Sequence, residues 1–108
     1  MEPAESKLKV EHAMETTFVT LQETQILEEQ QIKELEKLIM PVVEKAGGEK
    51  IVLNFTNVEF MSSSFLGLLV KIHKRVSEQG GHLALLKVNP TIRRVFEITN
   101  LTKVFQIM

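Results

Sequence analysis

Two short and almost unbroken apolar runs, Ile51-Val52-Leu53-Asn54-Phe55 and His82-Leu83-Ala84-Leu85-Leu86, flank a segment whose apolar residues recur at three- and four-residue steps. Runs of this length mark strands covered on both faces, and the spacing between them marks a helix. Two strands joined through a helix lie parallel, because a parallel pair needs a crossover rather than a tight turn. The chain is therefore committed to an α/β architecture. Its 108 residues suffice for one core.

The remaining pattern extends this unit. Lys7-Leu8-Lys9-Val10-Glu11 alternates with period two, as a half-buried strand does, and Thr16–Leu21 is rich in β-branched residues. With 12–15 as connector, the two form a hairpin. Gln25-Ile26-Leu27 is a candidate for a further short strand. From Glu28 onward Ile32, Leu35, Ile39, Val42, Val43 and Ala46 form one helical stripe that Gly47-Gly48 ends. Pro41 lies inside that pattern and predicts a kink or a break near Met40.

The helix between the two apolar runs is predicted over Ser63–Glu78, with Phe65, Leu66, Leu69, Ile72 and Val76 inward, and Gln79-Gly80-Gly81 ends it. Asn89 and Pro90 supply an N-cap and an N1 proline for a third helix over Thr91–Thr99. Leu101–Ile107 closes with a short strand or turn. The expected fold is a single α/β domain over 7–108, a mixed β-sheet with three main helices packed on it. The polar residues 1–6 are expected to fray.

Composition removes several kinds of chemistry. There is no Cys, Tyr or Trp, and all 14 acidic residues are Glu, so mechanisms that need a thiol, a phenol or an aspartate are excluded. A net charge of −1 argues against binding duplex nucleic acid. No apolar run approaches a membrane span, and the first residues lack the basic and apolar regions of a signal peptide. A cytoplasmic protein with no membrane contact and no cofactor is expected.

The segment that could carry function runs from Asn54 to Gly67, following the most buried strand, and within it three of the five serines, Ser62-Ser63-Ser64, stand together at a predicted helix start. One hydroxyl there is a cap, worth ~1 kcal/mol. Three are more than a cap requires. A helix start offers free N–H groups and a positive dipole end, which accommodate a phosphate. Phe60 and Met61 beside the serines are candidate apolar docking contacts. A hydrolase nucleophile elbow does not fit, because Met61 and Phe65 stand where that motif has glycines around Ser63. His12, His73 and His82 are too scattered for a metal site, and His73 and His82 read as surface residues. Gly80-Gly81 is a helix stop rather than a phosphate loop. Arg93-Arg94 reads as a solvated helix face, with an acidic partner as the alternative.

Taken together, three blocks resemble a known family. The stretch from Val52 to Val70, centred on Met61-Ser62-Ser63-Ser64-Phe65-Leu66-Gly67, resembles the central motif of STAS domains, the anti-sigma factor antagonists. Gly80-Gly81-His82-Leu83-Ala84-Leu85 and Asn89–Phe105 are similar to the family's glycine-led strand and closing segment. The resemblance is strong over 50–108, while 1–49 matches in element order alone. It departs at Ser62, where the family has Asp, and at Phe65, where it has Gly.

The resemblance implies a non-enzymatic regulator acting by partner switching. In its unphosphorylated form it binds an anti-sigma factor that is also a serine kinase, and phosphorylation releases it. Carried over by position, Ser63 is the phosphoacceptor, with Ser62 and Ser64 as alternatives. Phe60, Met61, Ser62, Ser64 and Phe65 are then partner contacts, and the protein is a monomer or weak homodimer. A scaffold of the same fold without phosphorylation is the second reading. An enzyme or small-ligand binder is the third, and the chain offers no convergent ionisable set for it.

Overall fold

The computed structural model describes residues 7–108, so the expected fraying of 1–6 lies outside the described residues. Strands β1 (Leu8–Ala13) and β2 (Thr16–Leu21) form the expected hairpin, followed by β3 (Gln25–Ile26) and helix α1 (Glu29–Ala46). Then come β4 (Lys50–Asn54), β5 (Phe60–Met61), α2 (Ser63–Glu78), β6 (Leu83–Leu86) and α3 (Pro90–Ile98). A 3-10 turn at Leu101–Lys103 and β7 (Gln106–Ile107) close the chain. The main sheet has the order β1-β2-β4-β6-β7, with β1 antiparallel and the rest parallel, while β3 and β5 make a separate two-stranded sheet.

The parallel strands lie side by side in the order in which they occur in the chain. Every crossover therefore steps the same way across the sheet, and right-handed crossovers that all step one way put their helices on one face. The molecule is accordingly thin, 20 Å along its shortest axis, about one sheet layer and one helix layer. Leu8, Val19, Leu21, Ile51, Leu53, Leu83 and Leu85 point into the helix layer and form one core with Ile32, Leu35, Ile39, Val43, Leu69, Ile72 and Val76. The run Ile51–Phe55 is buried on both faces, as its almost unbroken apolar sequence predicts. Val52 and Ala84, neighbours in register, are the buried residues of the far face, and Phe18 stands directly across from Val52.

Other boundaries shift for local reasons. β1 runs on to Ala13, so the connector shrinks to Met14 and Glu15, both left-handed at φ 49° and 62°. A two-residue hairpin turn requires this, and Asn-Gly fills it best. Replacing Met14 by Asn and Glu15 by Gly is expected to stabilise the fold by about 1 kcal/mol, read as a higher urea midpoint. An unchanged or lower midpoint would contradict it. Beside the turn of this hairpin Thr17, fully buried, donates its hydroxyl to Glu49 Oε1 at 3.0 Å and lies 3.2 Å from His12 Nδ1.

Helix α1 is not broken at Pro41. It runs unbroken to Ala46, with Pro41 on the solvent side. The carbonyl that loses its N–H donor belongs to Lys37, itself exposed, so water can replace the missing bond. Gln79 Nε2 donates to Val43 O and Gly47 O, tying the end of α2 to the end of α1. Arg75 bonds Glu44 through Nη2 at 2.7 Å, and Lys71 pairs with Glu36. The hydrogen bond from Arg75 holds the Glu44 carboxyl below its ordinary range. Whatever this exposed pair adds to stability is present at neutral pH and fades as pH falls through that lowered value.

Candidate functional site

The site lies beyond the C-terminal ends of the parallel strands, where the chain leaves β4 and enters α2. Three asparagines hold this loop. Asn54 Oδ1 accepts from Thr56 N at 2.9 Å, closing a tight turn as the strand ends. Asn57 Nδ2 donates to Leu21 O and Gln22 Oε1, and Asn89 Nδ2 donates to Val58 O and Glu59 O. Asn89 also caps α3 by accepting from Ile92 N at 2.8 Å, so one side chain joins a helix start to the loop.

Beyond the loop, β5 pairs with β3, Gln25 opposite Phe60 and Ile26 opposite Met61. The pairing continues one residue further, with Ser62 N donating to Ile26 O at 2.9 Å. Strand alternation then decides the fate of two expected contacts. Phe60 points outward and is 48 % exposed, while Met61 points inward and is 9 % exposed. Phe65 is fully buried and packs edge-on against Phe55, ring centres 6.4 Å apart. Met61 and Phe65, expected to contact a partner, are therefore core residues. A surface residue here that the sequence does not reveal is Leu27, which follows β3 and is 48 % exposed. The Gln31 side chain holds it there: Oε1 accepts from Leu27 N at 2.9 Å, and Nε2 donates to Gln25 O and Glu23 Oε2.

The serines divide as well. Ser62 is the N-cap residue of α2, yet its hydroxyl makes no capping bond and its Oγ is buried without a hydrogen-bond partner. Ser63 and Ser64 begin the helix and are exposed. No acidic residue occupies the first turn of α2. Further along the same outward side stand Gly67, where a Cβ would meet nothing within 4 Å, and the exposed Val70. The surface at the head of α2 is thus two hydroxyls and a bare helix face, bordered by Phe60 and Leu27.

His82 is exposed, as expected, but His73 is half-buried and its ring packs edge-on against Phe105 with centres 5.6 Å apart. Among the described residues no group of His and Glu side chains is arranged to hold a metal. Arg93 pairs with Glu97 along α3 at 3.9 Å. A shallow depression of about 290 Å³ beside the site is lined by Gln25, Leu27, Glu28 and Gln31, and a wider one of about 570 Å³ lies on the outer side of α1. Neither gathers ionisable groups around a hydroxyl nucleophile.

The family model for the STAS domain matches residues 8–108. The chain belongs to the STAS domain family. Over 59 residues it is 37 % identical to an anti-sigma F factor antagonist of Paenibacillus polymyxa, covering 55 % of this chain and 50 % of that one. The chain spans about half the length of the curated relatives it matches. Among solved structures, the crystal structure of an anti-sigma factor antagonist of Thermotoga maritima superimposes with a TM-score of 0.78 at 27 % identity, covering 93 % of this chain and 84 % of that one. The Bacillus cell fate determinant SpoIIAA in its phosphorylated form gives a TM-score of 0.69 at 22 % identity, covering 94 % and 90 %. The mixed sheet and three helices of this STAS domain agree with the architecture expected from its sequence. No helix among the described residues is long and apolar enough to cross a membrane.

Proposed function

We propose that this STAS domain is a cytoplasmic anti-sigma factor antagonist that acts by partner switching, with Ser63 as its phosphoacceptor. The observation that carries the reading is the exposed Ser63-Ser64 pair at the uncapped head of α2, flanked by exposed Phe60 and Leu27. The relatives are named anti-sigma factor antagonists, and SpoIIAA, which shares the fold, has been solved in a phosphorylated form. Of the three serines, Ser62 is the poorest acceptor, because a kinase must reach a hydroxyl oxygen that is here buried.

In this mechanism the unphosphorylated surface binds an anti-sigma factor with serine kinase activity through apolar contacts from Phe60 and Leu27 and close approach at Gly67. A phosphate on Ser63 adds about two negative charges to a surface packed against neutral atoms. Desolvating that charge disfavours the complex, and the free N–H groups of the first helical turn stabilise the phosphate on the released protein. The domain's own contribution is a docking surface and an acceptor hydroxyl; the transferase chemistry belongs to the partner.

Phosphopeptide mass spectrometry on protein from its native cells tests the reading, together with pull-down of the anti-sigma factor. A phosphate on Ser63 that varies with growth condition is expected. Ser63→Glu is expected to weaken partner binding at least about tenfold, while Ser63→Ala stays bound and cannot be released by the kinase. Phosphate nowhere in 62–64 and equal binding by both variants would favour a scaffold without a switch. A second variant separates docking from folding. Gly67→Ala is expected to stabilise the isolated domain by about 0.5–1 kcal/mol, since its Cβ meets only solvent, whereas Gly67→Arg should keep the fold and lose the partner. Undiminished binding by Gly67→Arg would move the docking surface away from α2.

A further inference from the structure

We propose that the outer edge of β1 is a self-association surface, on which a second copy of this chain adds its own β1 antiparallel about a two-fold axis through Val10. Among the described residues nothing pairs with that edge. Which of its backbone groups face outward follows from the hairpin. Gln22 N donates to Lys7 O at 2.9 Å, so Lys7 and Gln22 form a hydrogen-bonded pair. Such pairs alternate along an antiparallel ladder. In the observed register, Lys9, Glu11 and Ala13 then bond inward to Thr20, Phe18 and Thr16, leaving the N–H and C=O groups of Leu8, Val10 and His12 pointing out.

A charged edge strand normally repels other strands. The charges on β1 repel most registers and match one. With the axis at Val10, Lys9 lies opposite the partner's Glu11 and Glu11 opposite the partner's Lys9. Both are non-hydrogen-bonded pairs, in which side chains approach closest. Val10, 36 % exposed at the open end of the apolar sheet face, meets its own copy. Leu8 and His12 pair with the partner's His12 and Leu8, so Leu8, Val10 and His12 all satisfy their outward backbone groups. Moving the axis to Lys9 or Glu11 sets like charge against like. A two-fold interface is self-complementary by definition, and this strand meets that condition in one register. The contact joins two five-stranded sheets edge to edge and leaves the head of α2 free on both copies. It covers far less than a standard interface, so the dimer is a weak one.

Sedimentation or light scattering on the full chain, from micromolar to submillimolar concentration, tests the proposal independently of the serine switch. A concentration-dependent dimer is expected for the native sequence. Lys9→Glu and Glu11→Lys are each expected to weaken it at least about tenfold by setting like charges opposite one another. Mixed together, those two chains are expected to form a heterodimer, because every facing pair is then opposite in sign. Val10→Pro removes an N–H that makes no bond inside the chain, so it is expected to keep the native circular dichroism and lose the dimer. A native chain that stays monomeric throughout, a dimer indifferent to Lys9→Glu and Val10→Pro, or charge variants that fail to associate when mixed would each overturn it.

Discussion

Phe65→Ala is expected to lower stability by about 3–4 kcal/mol, which corresponds to a melting temperature lower by roughly 12–25 °C. Phe65 is fully buried at the first turn of α2 and meets Phe55 from the end of β4. Deleting its ring leaves a cavity where the loop, the helix and the sheet join, and backbone held by three asparagines has little freedom to close it. Thermal and urea unfolding measure the loss. The prediction also bears on function, because the resemblance to STAS domains implies a Gly where Phe65 stands, and a bulky ring there first reads as a new docking contact. A folded variant such as Phe65→Leu is expected to bind the proposed anti-sigma partner as the native chain does. A variant that kept its stability but lost the partner would restore Phe65 to the docking surface.

Gly81→Ala is the other change expected to be severe. Gly80 and Gly81 look interchangeable in the sequence but serve different purposes. Gly80 has φ of 82°, and with Gly80 N donating to Ser77 O and Gly81 N to Val76 O it forms the left-handed stop of α2. Gly81 has no such backbone requirement. A Cβ on it would lie 2.5 Å from the carbonyl oxygen of Glu49, 3.2 Å from Val76 Cγ1 and 3.3 Å from the Gly48 backbone. The obstacle is backbone on the neighbouring connection, which no rotamer change relieves. The expected cost is about 2–3 kcal/mol, with the fold otherwise kept, measured as a lower urea midpoint at unchanged slope. A midpoint within error of the native value would mean that the 47–49 turn yields easily.

The helices were legible because apolar residues spaced three and four apart share a face only when the backbone is helical. α2 begins and ends where its serines and glycines place it, and α3 starts at Asn89-Pro90. β5 was not legible. Two residues hold too little alternation to register, and their pairing with β3 is a contact between segments about 35 positions apart. The site residues depend on that pairing. Without β5, nothing distinguishes outward Phe60 from inward Met61, and nothing shows Leu27 standing beside the serines. Phe65 is a different case. The helical stripe already counted it with Leu66, Leu69, Ile72 and Val76, and periodicity was the better guide to it than its place in the motif. The hydroxyl of Ser62 could not be assigned from sequence either, because an N-cap position predicts a bond that the local geometry does not make.

The one-way winding of the sheet has a consequence for how the molecule is made. Synthesis proceeds from β1 toward β7, and each strand pairs with the one completed just before it in the main sheet. No late strand has to be threaded between two that are already joined. The hairpin can form as soon as it leaves the ribosome, and each β-α unit that follows finds its template waiting at the growing edge. At every stage the unfinished protein shows one open edge on that side, which is the edge its own next strand will occupy. On the growing side a nascent chain organised in this way spends little time offering unpaired strands to its neighbours on the polysome, and the charged outer edge of β1 is the one that stays open throughout.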